Sequence, residues 1–143
     1  MMLIFDLFDL DDKIEIMDVG ASAITSNGVV EVPIYKVLID KEIAHLTAFD
    51  GDARQIAKIE NEYGKDFVTV LNYFLFDGDK HDVYLCSPAS GMSSLFKPKA
   101  QALSFFNQFS KFGEVQSIEN IQTSRLDDIE NVKSPDFLKM DVQ

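Results

Sequence analysis

Short β-prone runs alternate along this chain with segments of helical periodicity, and that alternation limits the folds open to it. The predicted strands are residues 14–19, 45–49 and 67–74, and the predicted helices between them are residues 32–39 and 53–63. A β-α-β-α-β order favours a parallel sheet with right-handed crossovers and helices packed on it. The sequence therefore predicts an α/β domain.

The second predicted helix carries signals at both of its ends. Ile56, Ile59 and Tyr63 recur at helical spacing, which predicts one buried face. Gly64 is suited to the position after the last turn, and Asp52 is the better candidate for the N-cap. These signals predict a helix from residue 53 to residue 63.

Further elements are expected in the second half of the chain. A turn at residues 77–79 leads into a short strand at 83–86, and residues 99–109 have helical periodicity. An extended stretch precedes Leu126, and a last strand is expected over residues 136–142. The residues predicted on one face of the 99–109 helix are Ala102, Phe105, Phe106 and Phe109.

The length and the charge of the chain limit the classes of protein to which it can belong. With 143 residues, of which 46% are apolar, the chain is expected to form a single domain spanning residues 1–143. The 24 acidic and 13 basic residues leave a formal net charge of -11, which argues against nucleic-acid or anionic-membrane partners. No segment approaches the roughly 20 apolar residues of a membrane helix.

Cysteine and histidine usage points to a reducing compartment and to no metal site. Cys86 is the one cysteine, so no intramolecular disulfide can form, and the start of the chain lacks the basic residues of a signal peptide. A cytoplasmic location is expected. His45 and His81 are isolated in the sequence, so structural roles are expected for both, and Cys86 is expected in the core.

Three aspartates follow or end predicted strands: Asp18, Asp50 and Asp141. Ligands of open parallel sheets bind at the carboxyl ends of the strands, so these positions are candidates for a binding site. Small residues follow the first of them: Gly20, Ala21 and Ser22. Glycine and small side chains let a ligand approach the backbone closely, although an ordinary turn has the same composition.

The loop lacks the later glycines of a dinucleotide fingerprint, which argues against a nicotinamide cofactor. Asp50 follows Asp18 by 32 residues, whereas that fingerprint places its acid about 20 residues on. A carboxylate at Asp50 could accept the hydroxyl hydrogens of a ribose, or residues 50–52 could form a capping turn. Phe74, at the end of the third predicted strand, could flank an adenine ring.

Several segments, in this order, resemble the FkbM-type family of S-adenosylmethionine-dependent methyltransferases. They are residues 17–22, 48–52, 72–75 with Asp77, 92–95, 123–128 and 136–143. The last two are similar to the family's Arg-Leu-Asp-Asp element and its Phe-Leu-Lys-x-Asp strand. Two residues depart from the pattern, since Asp50 replaces a glutamate and Gly51 a proline. The chain ends at Gln143, inside the last motif, so a domain incomplete on its C-terminal side is expected.

This resemblance implies a Rossmann-like class I methyltransferase sheet in a three-layer α/β/α arrangement, with S-adenosylmethionine as cofactor. It implies that Gly20 and Ala21, in the loop from Asp18 to Ser22, approach the methionine part. Asp50 would hold the ribose, Phe74 would border the adenine, and Asp141 would face the transfer site as the candidate catalytic residue. The implied reaction is methylation of a hydroxyl oxygen on a glycan or a small natural product.

Two alternatives remain beside this interpretation. The first is a non-catalytic binding or scaffold domain that keeps the fold and has lost or weakened cofactor binding, which the changed ribose motif would explain. The second is a nicotinamide-dependent oxidoreductase on a similar sheet, which the missing glycines disfavour.

Overall fold

The computed structural model of the protein describes residues 13–21, 25–26, 29–30, 32–106 and 109–142. Within these ranges the chain is a mixed α/β protein built around a four-stranded parallel sheet.

The strands and helices are numbered in chain order. The strands are β1 (Ile14–Val19), β2 (Thr25–Ser26), β3 (Val29–Val30), β4 (Ala44–Phe49), β5 (Val68–Leu71), β6 (Lys80–Leu85), β7 (Ser117–Gln122) and β8 (Phe137–Met140). The helices are α1 (Lys36–Asp40), α2 (Ala53–Tyr63), α3 (Ala100–Leu103) and α4 (Phe109–Phe112), with a 3₁₀ helix at Leu126–Asp128. None of these described helices combines the length and apolar character that crossing a membrane requires.

The parallel sheet has the strand order β5-β4-β1-β8. The chain builds it outward from β1 through β4 to β5 and then returns to the other side of β1 with β8. The register pairs Ile16 with Leu46 on β4 and Asp18 with Lys139 on β8. The predicted parallel sheet is confirmed, and its strand order reverses direction between β1 and β8. Such a reversal opens a crevice at the carboxyl edge of a sheet.

One face of the sheet packs against α1 and α2 and contains the larger apolar cluster. Its buried members are Ile16, Ala21, Tyr35, Ile39, Ala44, Leu46, Ala48, Ile59 and Val68. The predicted helix over residues 53–63 is confirmed, and Ile59 contributes to this core as the spacing predicts.

The opposite face is covered by the chain that follows β7. Met17, Val19 and Phe49 form a buried cluster there, and side chains from the 3₁₀ helix and the residues after it pack on that cluster. Those covering side chains are Leu126, Ile129 and Val132. Among the described residues, this part of the second face is therefore covered by a 3₁₀ turn and extended chain. The expected three-layer α/β/α arrangement would have α-helices there.

The predicted strand at 83–86 belongs to a separate antiparallel ribbon, because β6 pairs with β7 along its whole length. The ribbon is held to the parallel sheet through α2, where the Arg54 guanidinium donates to the Cys86 carbonyl over 2.8 Å. Cys86 itself is buried, as predicted.

Two predicted elements are shorter in the structure because local bonds interrupt them. The first helix begins at Lys36 and not near Pro33, since a turn with a bond from the Lys36 N–H to the Pro33 carbonyl precedes it. The third strand stops at Leu71, where the Tyr73 N–H turns back to the Leu71 carbonyl.

The predicted helix over residues 99–109 was wrong in extent. In the described chain this region forms two short helices, α3 and α4. After α3 the Phe106 N–H donates to the Leu103 carbonyl, three residues back, which is the tighter turn typical of helix ends. Phe105 is 82% exposed, and Phe106 and Phe109 are exposed too. The rings of Phe106 and Phe109 contact each other, with centroids 5.6 Å apart.

Asp52 caps α2 and also anchors Arg54. Its Oδ1 accepts the Arg54 backbone N–H over 3.0 Å, and its two oxygens accept the guanidinium over 2.7 and 2.6 Å. At the other end, Gly64 is the C-cap with a φ of +79°. Both caps agree with the sequence prediction.

We expect Asp52→Ala to lower the free energy of unfolding by about 1–2 kcal/mol, because it removes the cap of α2 and leaves Arg54 without its carboxylate. Urea denaturation measures the change. Asp66→Ala, at an exposed position just after the same helix, is the matched control and should stay within about 0.5 kcal/mol of the wild type. Equal losses in the two variants would show that the cap does not contribute.

Candidate ligand site at the carboxyl edge of the sheet

A cavity of about 230 Å³ opens at the carboxyl ends of the parallel strands. Gly20 lines it after β1, Asp50 after β4, Phe74 after β5 and Asp141 after β8. The opposite wall is formed by the loop after β6, including Pro88. Four of the predicted site residues, far apart in the sequence, are thus brought to one cavity, since parallel strands end at the same edge.

Two buried carboxylates line this cavity, Asp50 with 9% of its surface exposed and Asp52 with 6%, and Asp52 is paired with Arg54. One oxygen of Asp50, Oδ1, accepts the Asp52 N–H over 2.8 Å. The Asn72 amide holds the same loop by donating to the carbonyls of Asp50 and Gly51, over 2.8 and 3.0 Å. This capping turn was the alternative interpretation of residues 50–52, and the structure shows that Asp50 makes it while also lining the cavity.

Burial raises the pKa of Asp50 to about 6. The negative charges of Asp52 and Asp18 act in the same direction, and the hydrogen bond from the Asp52 N–H offsets part of the shift. The cavity therefore contains an acid that changes charge close to neutral pH, which is a common property of functional carboxylates.

Asp18 lies behind the cavity wall, 1% exposed, and does not line the cavity. Its Oδ2 accepts the Tyr35 hydroxyl over 2.5 Å, and its Oδ1 accepts the Lys139 ammonium over 3.0 Å. Burial, with the bond to Asp18 and its charge, raises the pKa of Tyr35 well above its usual value. Each oxygen of the Asp18 carboxylate thus has a partner in the protein, and the residue joins β1 to β8 and to the turn before α1.

Gly20 makes room for the backbone of β8. Its φ is +82°, and a Cβ built on it would lie 2.3 Å from the Asp141 carbonyl oxygen. The N–H groups of Gly20 and Ala21 both donate to the Phe49 carbonyl, over 2.9 and 3.0 Å. Ala21 is buried in the core cluster beside Tyr35. Ser22, the last residue predicted for this loop, lies outside the described residues.

Phe74 packs directly on the backbone of Gly51. A Cβ at residue 51 would lie 2.2 Å from Cγ of the Phe74 ring, so the glycine is required for this placement. The position that departs from the methyltransferase pattern, Gly51 in place of proline, is therefore explained by the ring packed against it.

Asp141 lies at the rim of the cavity, where its side chain is exposed. Its N–H donates to the Val19 carbonyl over 3.1 Å, which continues the pairing of β8 with β1. Its carboxylate is thus accessible to a ligand or to solvent.

Lys139 and Gln55 are among the cavity residues that were missed in the sequence. Lys139 could have been found only from the register that places it opposite Asp18. Gln55 had a weak signal, because it shares the buried face of α2 with Ile59, and a polar residue at such a position is unusual.

The two histidines make structural contacts, as expected. His45 bonds Glu15 through Nδ1 over 3.2 Å and Thr69 through Nε2 over 3.1 Å. His81 lies 2.9 Å from the Asp77 carboxylate. Within the described ranges, no three side chains of the metal-binding types are grouped so that they could hold an ion.

No protein-family model, curated protein sequence or solved structure matches this chain.

Gly20→Ala and Gly64→Ala form a matched pair, because both glycines have nearly the same positive φ but only Gly20 faces a neighbouring backbone. We expect Gly64→Ala to cost about 1–3 kcal/mol of unfolding free energy from backbone strain alone, because a φ of +79° with a ψ of +141° is essentially restricted to glycine. Gly20→Ala should cost about 1–3 kcal/mol more, since its methyl group displaces the Asp141 carbonyl. Urea denaturation of both variants tests this, and equal losses would contradict the close approach of β8.

Asp50→Asn should stabilise the protein at pH 7.5 and not at pH 4. The folded-state pKa of about 6 lies above the ordinary value of 3.8, so the charged carboxylate destabilises the fold above pH 6 and protonation relieves this as the pH falls. The gain at pH 7.5 should be up to about 3 kcal/mol.

Urea denaturation across this pH range measures the effect, with Asp66→Asn as the exposed control, which should change stability little at either pH. A constant difference between Asp50→Asn and the wild type from pH 4 to pH 7.5 would contradict the raised pKa.

Proposed function

We propose that this chain is an S-adenosylmethionine-dependent methyltransferase domain with a Rossmann-like class I sheet. The observation that carries the proposal is the buried Asp50 carboxylate in a cavity at the carboxyl edge of a parallel sheet whose strand order reverses at β1 and β8. The sequence resemblance assigns the ribose-binding acid to this same residue.

The order of the side chains along the cavity suits an elongated nucleoside. Across the sheet, Phe74 follows β5, Asp50 follows β4 and Gly20 follows β1. Neighbouring strands are about 4.8 Å apart, so these residues span about 10 Å. An adenine ring beside Phe74 would leave the ribose at Asp50 and the methionine part near Gly20.

Asp50 has the chemistry that a ribose needs. Each oxygen of an ionised carboxylate can accept two hydrogen bonds, and Asp50 uses one of these four positions for the Asp52 N–H. Two adjacent ribose hydroxyls could donate to the remaining positions. Since the charged form of Asp50 is destabilised by burial, donors from a ligand would lower its pKa and bind most strongly to the ionised acid.

The end of the cavity at Asp141 suits a cationic group and the hydroxyl that would accept the methyl group. Asp141 is an exposed carboxylate at the rim, whereas the buried Asp18 is neutralised by Lys139. When bound, S-adenosylmethionine supplies an activated methyl group on a positively charged sulfur. The chain's own part would be to hold the ribose at Asp50 and to orient an acceptor hydroxyl at Asp141, so that the rate gain comes from positioning.

The acceptor is proposed from the resemblance alone as a hydroxyl of a glycan or a small natural product. The position of Asp141 supports an acceptor that reaches the cavity from solvent, because this residue is the exposed one among the three aspartates. An assay of methyl transfer from labelled S-adenosylmethionine to such hydroxyls distinguishes a methyltransferase from a domain that binds the cofactor without catalysis.

Calorimetric titration with S-adenosylhomocysteine tests the cofactor site. We expect binding at pH 7.5 that Asp50→Asn weakens by about 10- to 100-fold, through loss of charged hydrogen bonds. Wild-type affinity should fall about tenfold between pH 7 and pH 5 as Asp50 protonates, and the variant should lose this dependence.

Asp66→Asn is the control and should bind like the wild type. Because Asp50→Asn is expected to be more stable than the wild type at pH 7.5, weaker binding in that variant cannot be ascribed to unfolding. Absence of heat with S-adenosylhomocysteine, together with quenching of NADH fluorescence on mixing, would instead favour the nicotinamide alternative.

A further inference from the structure

The stretch between Asp82 and Glu114 contains no acidic residue, in a chain where 24 of the 143 residues are acidic. We call residues 83–113 the acid-free segment. It carries three lysines, all of which are exposed in the structure: Lys97, Lys99 and Lys111. The local charge of this segment is therefore positive, although the formal net charge of the whole chain is -11.

The acid-free segment also carries a cluster of exposed aromatic rings. The ring centroids of Phe106 and Phe109 are 5.6 Å apart, and those of Phe109 and Phe112 are 5.9 Å apart. A group of large apolar side chains left together in water marks an interaction surface, whereas single exposed ones need no explanation. The exposed phenylalanines of the segment are Phe96, Phe105, Phe106, Phe109 and Phe112.

The two short helices α3 and α4, which carry most of these rings, pack on each other. A Cβ at residue 113 would collide with Cδ1 of Leu103, so Gly113 is required for this contact. Lys99 is the N-cap residue of α3, and Lys111 lies in the last turn of α4. The lysines therefore flank the aromatic rings at both ends of the helix pair.

Phenylalanines flanked by lysines suit the surface of an anionic lipid bilayer. Aromatic rings insert at the boundary between headgroups and acyl chains, and lysines are attracted to the lipid phosphates. The net charge of the whole chain argues against such a partner, but at physiological ionic strength a charge acts over only about 8 Å. The charges nearest the bilayer therefore decide the interaction, and those of the acid-free segment have the required sign.

We infer that the surface formed by α3, α4 and the residues just before them binds an anionic lipid bilayer. Phe105 and Phe106 would insert among the lipids, and Lys97 and Lys99 would contact the phosphates. This inference is independent of the proposed function, because these four residues do not line the cavity.

Sedimentation of the whole chain with sucrose-loaded vesicles tests the inference. We expect at least about tenfold tighter binding to vesicles of phosphatidylcholine and phosphatidylglycerol in equal parts than to phosphatidylcholine alone, and loss of this preference at high salt. The double variant Phe105→Ser/Phe106→Ser should bind the anionic vesicles at least about tenfold more weakly. Lys97→Gln/Lys99→Gln should weaken the same binding about tenfold.

The controls place matched changes elsewhere on the surface. Ile118→Ser removes an exposed apolar side chain from β7, outside the acid-free segment. Lys58→Gln/Lys65→Gln removes two charges from exposed positions in and after α2. Both variants should bind the vesicles as the wild type does. Circular dichroism shows whether each variant is folded.

A fluorescence measurement locates the contact. The chain contains no tryptophan, so Phe105→Trp introduces a single fluorophore on this surface. Its emission should shift to shorter wavelength when the anionic vesicles are added, because the indole leaves water. Ile118→Trp is the control and should show no shift.

Three results would overturn the inference. They are absence of vesicle binding, equal binding to both kinds of vesicle, and unchanged binding by folded Phe105→Ser/Phe106→Ser. If the chain instead forms a dimer in analytical ultracentrifugation and this double variant is a monomer, the surface belongs to a second copy and the inference is wrong. None of these results bears on the binding of S-adenosylhomocysteine, so the proposed function is tested separately.

Discussion

The hydrogen bonds and the ion pair of the buried Asp18 carboxylate hold together the elements that form the sheet edge. It accepts one bond from the Tyr35 hydroxyl, in the turn before α1, and one from the Lys139 ammonium on β8. A buried carboxylate without such partners would be strongly destabilising, so the three elements are held together as a unit. Because β8 forms one wall of the crevice, this ion pair also positions Asp141 and shapes the carboxyl edge of the sheet.

The cavity at this edge contains a buried, negatively charged group. Burying this charge lowers the stability of the folded protein but favours the binding of hydrogen-bond donors. Burial and the neighbouring carboxylates raise the pKa of Asp50, so the ionised acid destabilises the folded protein at neutral pH. The same unfavourable environment makes Asp50 a strong acceptor for donors that enter the cavity.

Elements with strong local signals could be predicted, whereas elements defined by distant partners could not. The helix over residues 53–63 has its caps and its apolar spacing within a few residues, and both ends were correct. The run from Phe105 to Phe109 has equally helical spacing, but an apolar stripe becomes buried only if another element covers it, and these rings are exposed. The pairing of β6 with β7 joins residues 32 to 42 positions apart, so no local pattern in the sequence indicates it.

Local periodicity and chain order are enough to predict the α/β class, the parallel order of the first three sheet strands and the aspartates at strand ends. The role of each of these residues follows from how distant parts of the chain pack together. The register of β8 against β1 pairs Asp18 with Lys139, whereas Asp50 and Asp141 line the cavity. Gly20 is required by the close approach of Asp141, which is a contact between residues about 120 positions apart. Such contacts depend on register and packing across the sheet, which no short stretch of sequence encodes.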